Sequence, residues 1–231
     1  MGEAGRILAI GDVHGCAFAL EALLRIVKPT REELLVFLGD YVDRGLDSAG
    51  VLNRVIRLAE THRVVALRGN HEQMMMDARA GEGELAFWLS CGGEATLMSY
   101  CPFGDHGTIA DVPDEHWKFL DERCVDWHET ERHFFVHAGA VPHLALDRQT
   151  PLVLRWQTFD DVRPHASGKV MVCGHTPQRA GVPACLGHAV CIDTHAHAEG
   201  WLTCLDVVSG EYWQANERGE TREGGLEMGD E

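Results

Sequence analysis

The sequence predicts an α/β chain whose first half builds a largely parallel sheet and whose second half adds short strands. Between residues 6 and 80, a short apolar run, a glycine-bounded polar loop and a stretch of helical periodicity follow one another three times. Beyond Cys124 the texture changes to short apolar runs separated by glycine, proline and histidine. With 231 residues, 45% hydrophobic and 24% charged, the chain can fill one large core.

Residues 6–10 read as the first strand, which ends in Gly11, Asp12, Val13, His14 and Gly15. Glycines let the backbone turn sharply, while Asp12 and His14, two apart on an extended segment, share a side and can chelate. Residues 17–28 place Leu20, Leu23, Leu24 and Val27 at helical spacing, and Pro29 stops the helix. The pattern returns as a strand at 34–38, the loop Gly39, Asp40, Tyr41, Val42, Asp43, Arg44, Gly45, and a helix at 48–60. A carboxylate at a strand end suits a cation, and the planar fork of Arg44 suits paired phosphate oxygens. Residues 63–67 make the third strand, followed by Arg68, Gly69, Asn70, His71 and Glu72 and a helix over 73–80. Parallel strands with crossover helices send all three loops out at one edge, so Asp12, His14, Asp40, Asp43, Arg44, Asn70 and His71 converge. Singly, Asp40 and Asn70 also read as helix caps, and the Asp, Asp, Arg loop as a solvated turn with a local ion pair.

Met74, Met75 and Met76 read as core filler. Helical spacing runs on to about Met98, interrupted at 81–83 and 92–93, with Trp88 and Leu89 packing inward. Residues 101–111 read as a loop and 113–123 as a helix opening on Pro113. This stretch carries no catalytic signal. Strands follow at 124–127, 133–136, 169–173, 188–192, 201–207 and 211–214, with a hairpin turn at Ser209 and Gly210. Two of them end in histidine beside small residues, His137-Ala138-Gly139 and Gly174-His175-Thr176. One such imidazole alone is more often a hydrogen-bonded structural group, but two near converging acidic loops favour metal ligation. Residues 1–215 are expected to form a single domain, and 216–231 an acidic, disordered tail.

The formal charge is -16, from 36 acidic and 20 basic residues without a basic cluster, which argues against nucleic acid as a partner. An acidic chain that handles phosphate needs local positive charge, which divalent ions and a few arginines supply. No apolar run approaches the roughly eighteen residues of a membrane span, and no signal-peptide region follows Met1, so no membrane partner and a cytoplasmic location are expected. The eight cysteines include no C-x-x-C pair and read as reduced thiols.

The ordered set GDVHG at 11–15, GDYVDRG at 39–45, GNHE at 69–72, HAG at 137–139 and GHT at 174–176 resembles the phosphoprotein phosphatase family of metallophosphoesterases. The likeness, greatest to the compact bacterial and phage serine/threonine phosphatases, runs from Arg6 to about Gln214. It implies a calcineurin-like fold: a central β-sandwich flanked by helices in four α/β/β/α layers, with a two-metal centre at one edge. By the resemblance, Asp12, His14 and Asp40 hold one ion, and Asp40 bridges to a second held by Asn70, His137 and His175. Oxygen and imidazole donors together suit Mn, with Fe or Zn as alternatives. The mechanism so implied has a hydroxide between the two ions attacking phosphorus in line. Arg44 and Asn70 then hold the phosphoryl oxygens, His71 protonates the leaving group, and Asp43 orients His71.

The expected substrate is phosphoserine or phosphothreonine in proteins, since related dinucleoside polyphosphate hydrolases tend to differ at the positions of Asp43 and Glu72. The alternatives are a small-molecule hydrolase acting on, for example, diadenosine tetraphosphate, and a phosphate-binding protein with a decayed site. Two positions depart from the family pattern. A second phosphate-binding Arg usually stands two residues after a Trp, where this chain has Thr158, so Arg155 is the candidate substitute, with a surface Arg at a strand edge as the other reading. After Asp193 the family's Thr-Gly becomes Thr194-His195, and His195 and His197 read as neighbours of the site or as ordinary loop histidines.

Overall fold

The structure is a computed structural model that describes residues 5–101, 107–160 and 162–226. Strands β1 (Ile7–Ile10), β2 (Leu34–Phe37) and β3 (Arg63–Leu67) alternate with helices α1 (Ala17–Val27), α2 (Ser48–Thr61) and α3 (Asn70–Asp77). The three strands pair in parallel, Ile10 opposite Phe37 and Phe37 opposite Ala66, so the loops after them leave from one edge as the repeat predicts. Helix α3 begins at Asn70, three residues earlier than its spacing suggests. The Glu72 carboxylate reaches back to the Gly69 N–H and caps that first turn.

Next come α4 (Glu82–Trp88), a π-type turn (Leu89–Gly93), α5 (Glu94–Ser99), and α6 (Asp114–Lys118) with a second π-type turn (Phe119–Arg123). Strands β4 (Cys124–Val125), β5 (Trp127–Glu129) and β6 (His133–Val136) precede α7 (Pro151–Trp156). The chain then adds β7 (Val170–Cys173), β8 (Ala184–Cys185), β9 (Ala189–Cys191), β10 (Leu202–Asp206), β11 (Glu211–Ala215) and β12 (Thr221–Gly225). Among the described residues, one sheet runs β12-β11-β10-β1-β2-β3-β4 and the other β5-β6-β7-β9-β8.

Side-chain alternation along the strands turns these sheets into layers. Leu8, Ile10, Leu35 and Phe37 face α1 and α2 in one core, whereas their neighbours Ala9, Val36 and Leu38 meet Phe135, Val172, Val190 and Ile192 between the sheets. Phe134, Val136, Met171 and Cys173 point outward to Leu146 and Leu154. The result is the expected sandwich with helices on its outer faces. No helix among the described residues is long and apolar enough to cross a membrane.

Two expectations need correction. The tail is not disordered over 216–226: Thr221–Gly225 form β12, paired antiparallel with β11, while 227–231 lie outside the described residues. Its low apolar content misled because an edge strand draws its stability from backbone hydrogen bonds and exposes most of its side chains. Residues 151–156 form helix α7, with the Thr150 hydroxyl accepting the Val153 N–H and Pro151 in its first turn, so Arg155 is not on a strand edge.

Candidate metal and phosphate site

Asp40 stands at the centre of the site. Its carboxylate oxygens lie 3.4 Å from His14 Nε2 and 3.5 Å from His137 Nε2. It belongs both to a cluster with His14 and His71 and to one with His137 and His175, each with donor atoms within 4.8 Å of one another. Burial works against the Asp40 carboxylate, but His137, His71, His14 and His175 around it hold its pKa well below the usual carboxylate range. The backbone here is strained: His14, Asp40, Asp43, Arg44 and His175 all have positive φ. Each such residue costs about 1–3 kcal/mol and persists only when its surroundings over-determine it. For the loop after β2 that restraint is Glu72, whose buried carboxylate accepts the backbone N–H groups of Asp40, Tyr41, Val42 and Gly69 at 2.7–3.3 Å. Burial and the charge of Asp40 push the Glu72 pKa up to about 7 against the pull of those amides.

The hydrogen bonds of the two buried histidines fix which of their nitrogens can bind a cation. His14 Nδ1 lies 2.9 Å from the Val42 carbonyl and His137 Nδ1 2.8 Å from the Leu38 carbonyl. A carbonyl accepts, so both Nδ1 atoms carry the proton and both Nε2 atoms present a lone pair. For His137 that lone pair faces Asn70 Oδ1 at 3.0 Å, and Asn70 Oδ1 is also 3.0 Å from His175 Nδ1. Burial lowers the pKa of His14 and His137, and brings His175 to about 4, which keeps the rings neutral. Asp12 Oδ1 is buried without a hydrogen-bond partner among the described residues, while Oδ2 accepts the His175 N–H at 2.9 Å. At Gly174 a Cβ would overlap Asp12 Oδ1, so only glycine leaves that oxygen room. Burial, Asp193 and Asp40 push the Asp12 pKa well up. Acceptors converging on one another, with an orphaned carboxylate oxygen beside them, form a donor set that fits divalent cations.

His71 and Asp43 form a pair next to this set. His71 Nδ1 lies 2.6 Å from Asp43 Oδ2, and both side chains are buried. Burial opposes the imidazolium, but Asp40 and the Asp43 bond outweigh it and raise the His71 pKa. Arg44 is exposed, and its guanidinium reaches the site, with Nη1 2.9 Å from His14 Nε2.

Arg155 is buried inside α7, and its guanidinium is bound to Asp126 and Gln73. It therefore does not fit the role of second phosphate clamp. His197 packs edge-on against His14 at 4.8 Å and against His195 at 4.7 Å, so the departure after Asp193 borders the site. Sequence reasoning missed Ser48, Trp88 and Thr96, which surround Asp43. Their only signal was a buried-looking Trp in a stretch that carries no ligand chemistry.

Known proteins resemble this chain in sequence and fold. The family model described as calcineurin-like phosphoesterase matches residues 5–209. Serine/threonine-protein phosphatase 1 of Salmonella typhimurium is 42% identical over 89 residues, 38% of this chain and 39% of that protein. The symmetrical bis(5'-nucleosyl)-tetraphosphatase of Burkholderia pseudomallei (strain 668) is 29% identical over 142 residues, 58% of this chain and 42% of that one. The chain thus spans about two fifths of the length of these curated relatives. A crystal structure of a candidate diadenosine tetraphosphatase superposes with a TM-score of 0.64 at 21% identity, covering 98% of this chain and 96% of the other, a likeness of fold.

Proposed function

Because the chain belongs to the calcineurin-like phosphoesterase family, we propose that it is a metal-dependent phosphomonoesterase acting on phosphoserine and phosphothreonine in proteins. The observation that carries this reading is the 2.6 Å pair of His71 and Asp43. An alkoxide is a poor leaving group and needs a proton as the P–O bond breaks, whereas a nucleoside polyphosphate leaves readily without one. A buried imidazole bonded through Nδ1 to a carboxylate, with Nε2 free for a proton, is therefore suited to serine and threonine esters.

Asp12, His14 and Asp40 would hold one divalent ion, and Asp40, Asn70, His137 and His175 a second, with manganese the first ion to test. Such ions neutralise phosphoryl oxygens and acidify the water that attacks phosphorus. The protein's own groups do the rest. Arg44 grips the phosphoryl oxygens as charge builds on them. His71 Nδ1 stays bonded to Asp43, which leaves Nε2 to give its proton to the departing oxygen.

The second reading, a dinucleoside polyphosphate hydrolase, is favoured by the likeness to the Burkholderia tetraphosphatase. Phosphate release from phosphoserine, phosphothreonine and phosphotyrosine peptides, measured beside diadenosine tetraphosphate cleavage with manganese-loaded protein, separates the two. Faster turnover of the phosphoserine and phosphothreonine peptides is expected; faster dinucleotide cleavage would move the function to nucleotides.

A further inference from the structure

The segment from α4 to α5, which carries no metal ligand, presents Trp88, Gly92 and Thr96 toward the loop that bears Asp43 and Arg44. Trp88 ends α4, Thr96 lies in α5, and Gly92 sits in a non-helical conformation at the kink between them, so the bend brings all three to the same loop. Trp88 is fully buried, and its indole Nε1–H points at both Asp43 oxygens, 3.0 Å from Oδ1 and 2.9 Å from Oδ2. The Thr96 hydroxyl donates to Asp43 Oδ1 at 2.7 Å and accepts the Asp43 N–H at 2.7 Å. Ser48 Oγ, 3.0 Å from Thr96 Oγ1, then has to donate to it, because the single Thr96 proton is already committed. Trp88, Thr96 and His71 thereby hold both Asp43 oxygens, and the carboxylate cannot rotate without losing a bond.

The same segment holds Arg44. The Gly92 carbonyl accepts the Arg44 N–H at 3.2 Å. Gly92 has φ of 114°, and a Cβ there would come 2.9 Å from Arg44 Cγ. Asp43 and Arg44, at φ of 74° and 69°, are successive non-glycine residues in a region that side chains disfavour. The left-handed Gly92 breaks the helix between Trp88 and Thr96, so two separate helical segments bring their side chains onto Asp43.

We propose that this segment is the positioning element of the reaction: Trp88 and Thr96 lock the Asp43 carboxylate so that His71 Nε2 is aimed at the leaving oxygen, and Gly92 fixes the backbone from which Arg44 reaches the phosphate. The inference rests on the reading of His71 as proton donor. None of the three residues touches substrate; they act through Asp43 and Arg44.

The test compares Trp88→Phe, Thr96→Val, Thr96→Ser and His71→Asn on phenyl phosphate, a poor leaving group, and p-nitrophenyl phosphate, a good one. Trp88→Phe and Thr96→Val should lose on the order of tenfold to a hundredfold on phenyl phosphate and much less on p-nitrophenyl phosphate, with Thr96→Ser restoring the former. A second readout needs no turnover. In metal-free protein the hydrogen-bonded His71 Nδ1–H proton, observed by NMR, should shift or broaden in Thr96→Val and return in Thr96→Ser. Thr96→Val decides the matter if Trp88→Phe does not fold. Equal losses on both substrates, or an unmoved imidazole proton, would overturn the positioning role while His71→Asn stays selective for the poor leaving group. Equal losses in His71→Asn itself would remove the proton-donor reading and the positioning role with it.

Discussion

The backbone N–H of Asp40 lies 2.8 Å from Glu72 Oε2, so the central residue of the candidate donor cluster is held by the first turn of α3. The same carboxylate takes three further amides and staples the loop after β2 to the one after β3. In Glu72→Gln one acceptor becomes a donor that faces N–H groups. The variant should lose about 3 kcal/mol of stability, since buried amides are left without partners. Thermal unfolding measures this, and metal titration should show weaker binding without any change to a ligand.

Asp40→Asn removes the charge shared by both clusters while keeping the side-chain shape. Bound manganese, measured after equilibrium dialysis, should fall at both positions together. An unchanged stoichiometry would count against Asp40 as the shared ligand.

The two arginines should part company. Arg44→Ala is expected to lower kcat/KM on the order of a hundredfold to a thousandfold, as removal of an electrostatic clamp does elsewhere, and to leave urea stability near wild type. Arg155→Ala should do the reverse. It strips the partner from Asp126 and Gln73, costs about 2 kcal/mol in urea unfolding, and leaves the kcat/KM of the folded protein close to wild type.

Far from the site, Glu33 makes an acid-sensitive contact. It accepts Arg6 Nε at 2.6 Å and the Thr30 N–H at 2.6 Å, with Arg6 lying over Trp213 and near Asp206. Burial opposes the carboxylate, but Arg6 and Thr30 outweigh it and lower its pKa. A lowered folded pKa means stability that is present above the unfolded value, about 4.3, and lost as pH falls through the folded one. Glu33→Gln should therefore cost about 1 kcal/mol at pH 7, and the difference from wild type should vanish on acidification, read by unfolding at a series of pH values.

Much of the site could be read from the chain because its chemistry is local. Gly11 to Gly15, Gly39 to Gly45 and Gly69 to Glu72 each bring candidate donor and turn together, and three apolar strands before them say which edge they share. What escaped depends on distance along the chain. Thr96 meets Asp43 across 53 residues and Trp88 across 45, and neither residue type announces a carboxylate partner. Arg155 differs for the opposite reason: it reads as a substitute for the Arg absent at Thr158, whereas in the fold Asp126 and Gln73 hold its side chain within the Thr150-capped helix. Residues 221–225 looked too polar to order, yet they add an edge strand by backbone pairing with β11, with Arg222 bonded to Gln214 and lying over Trp201.

The neutralisation of Arg155 by Asp126 also affects how a substrate arrives. A phosphoester approaching this chain meets a formal charge of -16 before it meets Arg44. Raising ionic strength from about 0.01 to about 0.15 M shortens the Debye length from about 30 to about 8 Å, which hides the distant surface and leaves the contact with Arg44 largely intact. The second-order rate with a small anionic ester should thus climb with added salt, the reverse of an electrostatically steered enzyme. A peptide whose phosphoserine is flanked by lysines should start faster and lose that advantage as salt is added, making ionic strength a selector of substrates.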